Sequence, residues 1–317
     1  MMLALIVLAV GFVAFTNGAN ANFKGVASLY GSGTTTLRQA AYWGTATTFA
    51  GSLCALFVSD GILAAFSGRG LVPDALVASR EFVFAVALGA ALTSFLATRF
   101  GFPVSTTHCL VGALLGAALA GDGQVNFAAL GKNFFLPLVF SPVIAAVAGA
   151  IVYPILKVCR LVPDQRTRLL DRMHFLSTGA ASFARGLNDT PKMVALMLAV
   201  PAIPLHVAFL IVAVAIALGG WLDIDRVAET LGKKITGMNA GQGFAASLVT
   251  AALVATASSH SFPVSTTHVS VGSLTGMGLV TRQLHGRKIA EVLFAWVTTV
   301  PIGAILAAVA YWVVGRF

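Results

Sequence analysis

Apolar residues run in long stretches along the chain and are separated by short polar segments. Most stretches approach the roughly 20 residues that a helix needs to cross a membrane, and their length and hydrophobicity rather than an amphipathic period indicate helices. The pattern predicts about ten membrane segments, five in each half of the chain. In order they are residues 1–36, 39–59, 81–98, 102–120, 134–157, 173–200, 203–221, 241–258, 262–280 and 290–314.

Two polar motifs occur twice, in the same order. Residues 17–24 resemble residues 185–192, and the sequence Phe-Pro-Val-Ser-Thr-Thr-His of residues 102–108 recurs letter for letter at residues 262–268. The near-equal offsets of 168 and 160 positions indicate a duplicated unit. Because each unit holds an odd number of segments, the two units should enter the membrane from opposite sides, as inverted repeats of secondary transporters do.

The predicted fold is therefore an all-α polytopic membrane protein, made of two inverted five-segment repeats with broken or re-entrant helices. Residues 1–158 form the first repeat, residues 159–172 a basic linker and residues 173–317 the second repeat. Glycine and asparagine should break the helices around residues 17–24 and 185–192. The segments that carry the seven-residue motif could either cross the membrane or be re-entrant.

Composition supports a membrane protein and excludes several other classes. Of the 317 residues, 58% are hydrophobic and 10% are charged, whereas about a quarter are charged in a soluble domain. This excludes an ordinary soluble enzyme, a disordered chain and a disulfide scaffold. The net charge of +9 does not require nucleic acid, because basic residues collect in cytoplasmic loops. A cytoplasmic linker places both termini outside the cell membrane and thirteen of the 20 basic residues inside.

Four ionisable residues fall at the predicted breaks: Lys24, Arg185, Asp189 and Lys192. An ionisable side chain within a span costs roughly 2.5–3.5 kcal/mol on insertion scales. Each lysine could extend to the membrane surface from a helix end. Both lysines, however, follow a Gly-x-Asn sequence at equivalent repeat positions, which favours a pair of anion anchors beside helix N-termini.

The seven-residue motifs add hydroxyl groups and histidines. Proline followed by serine and threonine is typical of a helix start, and two symmetric copies could also surround an oxyanion. His108 and His268 could carry protons or donate structural hydrogen bonds. Asp189 could form a local salt bridge, or it could accept a proton or a coupling ion.

With these motifs the chain resembles the inorganic phosphate transporter (PiT) family, which includes bacterial sulfate permeases. The resemblance implies that a tetrahedral oxyanion is moved together with a cation. It implies that Asn20, Asn188, Ser105, Thr106, Thr107, Ser265, Thr266 and Thr267 line the substrate and coupling-ion site, and that Asp189 is the signature aspartate, with a candidate sodium ion near it. The charge and position of Lys24 and Lys192 add both lysines to the candidate substrate site, and His108 and His268 are candidate coupling residues beside Asp189.

Two positions depart from the family's pattern. Ala21 occupies the place of a signature aspartate, and Lys24 and Lys192 occupy places where the family commonly has asparagine. Both changes make the site more positive and favour proton coupling over a sodium site built from two aspartates. They also make sulfate a serious alternative to phosphate.

The sequence thus predicts a symporter in the inner membrane that carries inorganic phosphate, with a proton-coupled sulfate permease as the alternative. An anion channel and an enzyme acting on phosphorylated or sulfated lipid are weaker hypotheses, and the chain carries no recognisable catalytic motif. No cofactor is expected beyond the coupling cation, which is a proton or sodium. The expected partners are the anion and membrane lipid, with a second copy of the chain as a further candidate.

Overall fold

The computed structural model describes residues 1–121, 123–163, 165–223 and 225–316. Within these ranges the protein is helical and contains no strand longer than an isolated bridge. In the first half the helices are α1 (Met2–Ala21), α2 (Ala27–Gly31), α3 (Leu37–Cys54), α4 (Asp60–Phe66), α5 (Asp74–Val77), α6 (Arg80–Arg99), α7 (Thr106–Ala120), α8 (Phe127–Leu130) and α9 (Leu136–Val158). In the second half they are α10 (Arg168–Met197), α11 (Leu205–Leu222), α12 (Asp225–Glu229), α13 (Ala240–Ser259), α14 (Thr266–Thr281) and α15 (Gly286–Val314).

Among the described residues, six helical segments are long and apolar enough to cross a membrane, or seven if a bent pair is counted as one span. The bent pair is α3 with its short extension and α4, whose axes differ by 91°. α9 and α15 expose much of their apolar surface, as helices that face lipid do. The all-α membrane fold is confirmed, and fewer than the predicted ten segments meet the criteria for a span.

The two predicted helix breaks have different outcomes. The first is present, since a 3₁₀ turn at Asn22–Gly25 separates α1 from α2. The second prediction was wrong, because α10 continues without a break from Arg168 to Met197. Pro191 lies inside α10 and removes one backbone donor, which a helix tolerates when packing holds both sides.

Four glycines show that the two halves are related by a pseudo-two-fold axis. In α1, Gly18 lies against the carbonyl of Ile216, and its repeat mate Gly186 lies against the carbonyl of Thr48. The partners Thr48 and Ile216 are themselves 168 positions apart, as the two glycines are. Gly51 and Gly219 form the second such pair, against the carbonyls of Phe183 and Phe15. Helix α3 of the first half therefore packs on α10 of the second, and α11 packs on α1.

The order of contacts between α1–α2 and α10 shows that the repeats are inverted. Asn17 contacts Asp189, Gly25 lies against Ser182, and Ser28 contacts His174. Positions that rise along the first segment therefore meet positions that fall along α10, so the two segments are antiparallel. Helices at equivalent positions of the repeats consequently run in opposite directions, as predicted.

The seven-residue motifs form the tips of two helical hairpins. One hairpin is α6–α7 and the other is α13–α14, and each tip is an extended stretch before the second helix. The tips meet inside the protein, where the Thr267 hydroxyl donates to the Val104 carbonyl at 2.8 Å. α7 has 15 residues and rises about 22 Å, too little to cross a core of about 30 Å. The length of α7 therefore favours a re-entrant first motif segment.

Candidate functional site

Four charged side chains converge where the hairpin tips meet. Lys24 comes from the 3₁₀ turn, whereas Arg185, Asp189 and Lys192 come from consecutive turns of α10. All four are buried, with exposed fractions of 4%, 2%, 3% and 0%. Asp189 is the one buried acidic residue in the part of the chain that the structure describes. The cluster thus holds three cationic side chains and one carboxylate.

The Asp189 carboxylate is the hub of the cluster. One oxygen accepts from Lys192 Nζ at 2.8 Å. The other lies 3.5 Å from Arg185 Nε and accepts from the Thr266 hydroxyl at 3.2 Å. A weaker contact at 3.4 Å comes from the Asn17 amide. Asp189 therefore accepts three hydrogen bonds and forms ion pairs with two cationic side chains.

The two lysines bind the hairpin tips symmetrically. Lys24 donates to the Val104 carbonyl at 2.7 Å and to the Thr267 hydroxyl at 2.6 Å.

Lys192 donates to the Val264 carbonyl at 2.9 Å and to the Thr107 hydroxyl at 3.1 Å. Each lysine therefore joins the carbonyl at the tip of its own repeat to a threonine of the other repeat. The sequence comparison identified the lysines as a matched pair, and the structure places both at the same junction.

The hydroxyl groups of the two motifs have different tasks. Ser105 and Ser265 cap α7 and α14, because their side chains accept from the backbone N–H groups of His108 and His268. Thr106 accepts from the Asn17 amide at 2.7 Å. The N-termini of two helices of 15 and 16 residues thus point toward the charged cluster, an arrangement that favours an anion.

The two asparagines hold the hairpins rather than line an open cavity. The Asn20 amide donates to the Thr98 hydroxyl and to the Phe102 carbonyl, and its oxygen accepts from the Val104 N–H at 3.0 Å. Asn188 donates to the Ser258 hydroxyl at 3.1 Å, and its side-chain oxygen has no partner among the described residues. The first tip is therefore tied to its helix more firmly than the second.

His108 and His268 contact each other, with ring centroids 4.7 Å apart. His268 Nδ1 hydrogen-bonds the Leu138 carbonyl at 2.8 Å, and its ring stacks on Trp296 at 3.9 Å. Trp296 in turn donates to the Pro103 carbonyl at 2.9 Å. The pair lies beside the tips, packed against the outer helices, and neither ring hydrogen-bonds Asp189 in the described structure.

Arg185 and Asn17 form part of the cluster that the sequence-derived site residues did not include. The Arg185 guanidinium donates to the Asn17 side-chain oxygen at 2.5 Å and to the Asn22 side-chain oxygen at 3.1 Å. Asn17 and Arg185 are repeat mates, as are His108 and His268. Residues near a two-fold axis contact their own repeat mates. A comparison of polar residues at equivalent positions of the two repeats could therefore have predicted that Asn17 contacts Arg185.

A membrane-embedded protein with two inverted halves around a buried cationic centre has the form of a transporter of anions. The phosphate transporter family model matches residues 17–307. The chain therefore belongs to the phosphate transporter family. It is a transporter that crosses the membrane several times, and it is not an enzyme.

Individual relatives agree with the family. The chain is 29% identical to a "probable low-affinity inorganic phosphate transporter" of Mycobacterium bovis, over 98% of this chain and 77% of the relative. It is 31% identical to a protein of the same description from Bacillus subtilis, over 73% of this chain and 74% of that one. A solved structure titled "The sodium-dependent phosphate transporter" has a similar fold, with a TM-score of 0.87, 23% identity, and 100% and 99% of the two chains covered.

Proposed function

We propose that this protein is a secondary active transporter that carries inorganic phosphate together with a cation by alternating access. The observation that carries the proposal is the buried cluster of Lys24, Arg185 and Lys192 around the single carboxylate of Asp189. A buried excess of positive charge is costly unless it is paired. Doubly charged hydrogen phosphate would supply the two missing negative charges.

The proposed substrate site uses the atoms that now join the tips. Lys24 and Lys192 would exchange their bonds to tip carbonyls and threonines for bonds to phosphate oxygens, with the N-termini of α7 and α14 adding backbone donors. Binding would thereby separate the two tips, which is the movement that alternating access requires. The Asp189 carboxylate can accept a hydrogen bond from the O–H group that hydrogen phosphate carries and sulfate lacks, so it favours phosphate.

Coupling is proposed to pass through Asp189. It forms ion pairs with Arg185 and Lys192 and lies at the junction of both repeats. Ala21 leaves the first repeat without a matching carboxylate, which favours a proton over sodium. The contacts of His268 with Leu138 and Trp296 support a structural role for the histidine pair, with proton transfer as the second possibility.

The proposed orientation follows the charge distribution. The linker of residues 159–172 would lie in the cytoplasm and both termini outside, with residues 1–158 and 173–317 as the two repeats. The exposed apolar faces of α9 and α15 would contact lipid.

Uptake into proteoliposomes tests the function directly. Radiolabelled phosphate and sulfate are compared with and without sodium and with and without a proton gradient. We expect phosphate to accumulate against its gradient when the coupling cation gradient is present. Faster uptake of sulfate would identify a sulfate permease, and flux without accumulation would identify a channel.

Variants connect that function to the cluster. We expect Lys24→Ala and Asp189→Asn to abolish accumulation, because one removes an anion anchor and the other the coupling carboxylate. Lys132→Ala is the matched control, since Lys132 is exposed and far along the chain from the motifs. A channel would keep its flux in Asp189→Asn, and full uptake by Lys24→Ala would overturn the anion role.

A further inference from the structure

Six polar side chains form a second buried group between the charged cluster and the linker. We refer to them as the hydroxyl track. All six are buried, although they lie in helices that are otherwise rich in small apolar residues. The track comprises Ser28, His174, Ser247, Thr250, Ser270 and Ser273.

Hydrogen bonds connect much of the track. The Ser28 hydroxyl lies 2.7 Å from that of Ser247 and 2.8 Å from His174 Nε2. The Thr250 and Ser273 hydroxyls lie 2.7 Å apart. Ser270 donates to the backbone carbonyl of Lys24 at 2.9 Å.

A small cavity lies along the track and reaches Lys24. Its walls include five of the six track residues, together with Lys24 and Gly25. Its volume of about 10 Å³ is close to what one water molecule occupies. The cavity therefore joins the charged cluster to the track in the conformation described.

The other end of the track reaches the linker. His174 Nδ1 lies 3.3 Å from the Thr34 hydroxyl. The backbone carbonyls of Gly33 and Thr34 accept from the guanidinium of Arg166, which belongs to the linker. Gly33 is exposed. A connected row of polar groups thus runs from Lys24 to the surface on the linker side.

The symmetry-related positions are apolar. The two repeats are related by offsets of 168 and 160 positions. At these offsets, the residue equivalent to each member of the track is aliphatic. All six counterparts belong to one buried hydrophobic cluster. In the order of the track they are Leu196, Ile6, Ala87, Ala90, Leu110 and Ala113.

The geometry points to one aqueous access route. We infer that the hydroxyl track is the path by which water and the oxyanion move between Lys24 and the linker side, and that its aliphatic counterpart is the dry barrier toward the opposite side in the conformation described. Polar side chains within a membrane are placed where they face a water-filled path, whereas an apolar constriction excludes water and ions. The inference deepens the proposed function and rests on it for the identity of the anion.

Matched cysteine substitutions test the route. Ser28→Cys and Ser247→Cys are compared with Leu196→Cys and Ala87→Cys in a background where Cys54, Cys109 and Cys159 are replaced. A membrane-impermeant thiol reagent is applied to either face of sealed vesicles, and Gln165→Cys in the linker reports which face is exposed. We expect linker-side labelling at the track to be about tenfold or more faster than at the counterparts, since a thiol in apolar surroundings ionises poorly.

Several outcomes would overturn the inference. These are equal labelling at track and counterpart positions, labelling of the track from the opposite face alone, or no labelling of the track. Because labelling does not require transport, a protein that labels as expected and carries no phosphate would refute the proposed function and keep the access route.

A second measurement uses Ser247→Ala. The fold should accept alanine here, because Ala87 occupies the equivalent position of the other repeat. We expect slower phosphate uptake with unchanged expression, and Ser259→Ala, an exposed hydroxyl of the same helix, serves as control. Uptake by Ser247→Ala at the rate of the control would also count against the route.

Discussion

Lys24 and Lys192 make nearly the same hydrogen bonds, yet they differ in electrostatic compensation. Lys192 lies 2.8 Å from the Asp189 carboxylate, whereas the equivalent neighbour of Lys24 is Ala21. The backbone of the site is thus pseudo-symmetric, whereas its charges are not, because only the second repeat supplies a carboxylate. The difference teaches that Lys24 is the cation left for a ligand, while Lys192 first holds Asp189 in place.

The largest expected effect concerns the stability of the folded protein, which Lys192 should increase and Lys24 should not. Lys192→Met leaves the Asp189 carboxylate with one cationic partner fewer, and breaking a buried pair costs about 3–5 kcal/mol. Lys24→Met removes an uncompensated buried charge, and the Val104 carbonyl still accepts from Thr267. We therefore expect Lys192→Met to unfold at a lower temperature in phosphate-free detergent, and Lys24→Met to unfold at the same or a higher temperature than the parent.

Added phosphate sharpens the same comparison. A ligand that binds the folded state alone raises the unfolding temperature, and we expect this rise in the parent and its loss in Lys24→Met. Lys132→Met controls for the loss of a lysine at an exposed position. Equal destabilisation by the two buried lysine variants would contradict the distinction drawn between them.

A smaller effect tests the packing that the two halves share. Gly116 of α7 lies against the backbone carbonyl of Ala304, and its repeat mate Gly276 of α14 lies against that of Ala146. Each glycine is the second of a Gly-x-x-x-Gly pair, which lets helices approach closely in membranes. A methyl group at either position would overpack this contact, so we expect Gly116→Ala and Gly276→Ala each to cost about 1–3 kcal/mol.

Thermal unfolding in detergent measures both glycine variants. Gly11→Ala in α1 is the control, because no atom beyond its own helical backbone lies within 4 Å of the added carbon, and it should be neutral or stabilising by up to about 1 kcal/mol. If one hairpin variant behaves like the control, the two interfaces are not equivalent and the symmetry of the hairpins is lower than the contacts indicate.

Much of the fold could be predicted because polar motifs reveal the repeat within an apolar chain. A seven-residue identity in an apolar chain identifies two equivalent tips, and the shared Gly-x-Asn pattern identifies Lys24 and Lys192 as mates. Hydropathy alone, however, cannot distinguish a crossing helix from a re-entrant one. The meeting of Val104 with Thr267 is a contact between repeats, and nothing local to either motif specifies it.

The part of the site that escaped prediction depends on tertiary packing. The polar residues around Arg185 suggested a broken helix, but Asn17 and Asn22 from the first repeat accept hydrogen bonds from its guanidinium and α10 continues. The hydroxyl track was missed for a related reason. Its members are four serines, one threonine and one histidine scattered over four helices, and only their proximity makes them a group.

The smallest expected effect concerns the asparagines that hold the two tips. Asn20→Ala would leave the buried Val104 N–H without its acceptor, and an unsatisfied buried donor costs about 1–3 kcal/mol. In the second repeat the Val264 N–H bonds to the Phe262 carbonyl instead, and the Asn188 oxygen has no partner in the described chain. We therefore expect Asn188→Ala to cost roughly 1 kcal/mol less than Asn20→Ala.

Hydrogen exchange at the two tips, measured alongside thermal unfolding, checks this difference. A tip held by fewer bonds opens more readily, so the amides of residues 262, 264 and 265 should exchange faster than those of residues 102, 104 and 105 in the parent protein. Asn20→Ala should bring the first tip to the rate of the second, while Asn188→Ala should change little. Equal exchange at both tips of the parent would mean that the missing Asn188 bond has no effect on opening, and the second hairpin would then be no more mobile than the first.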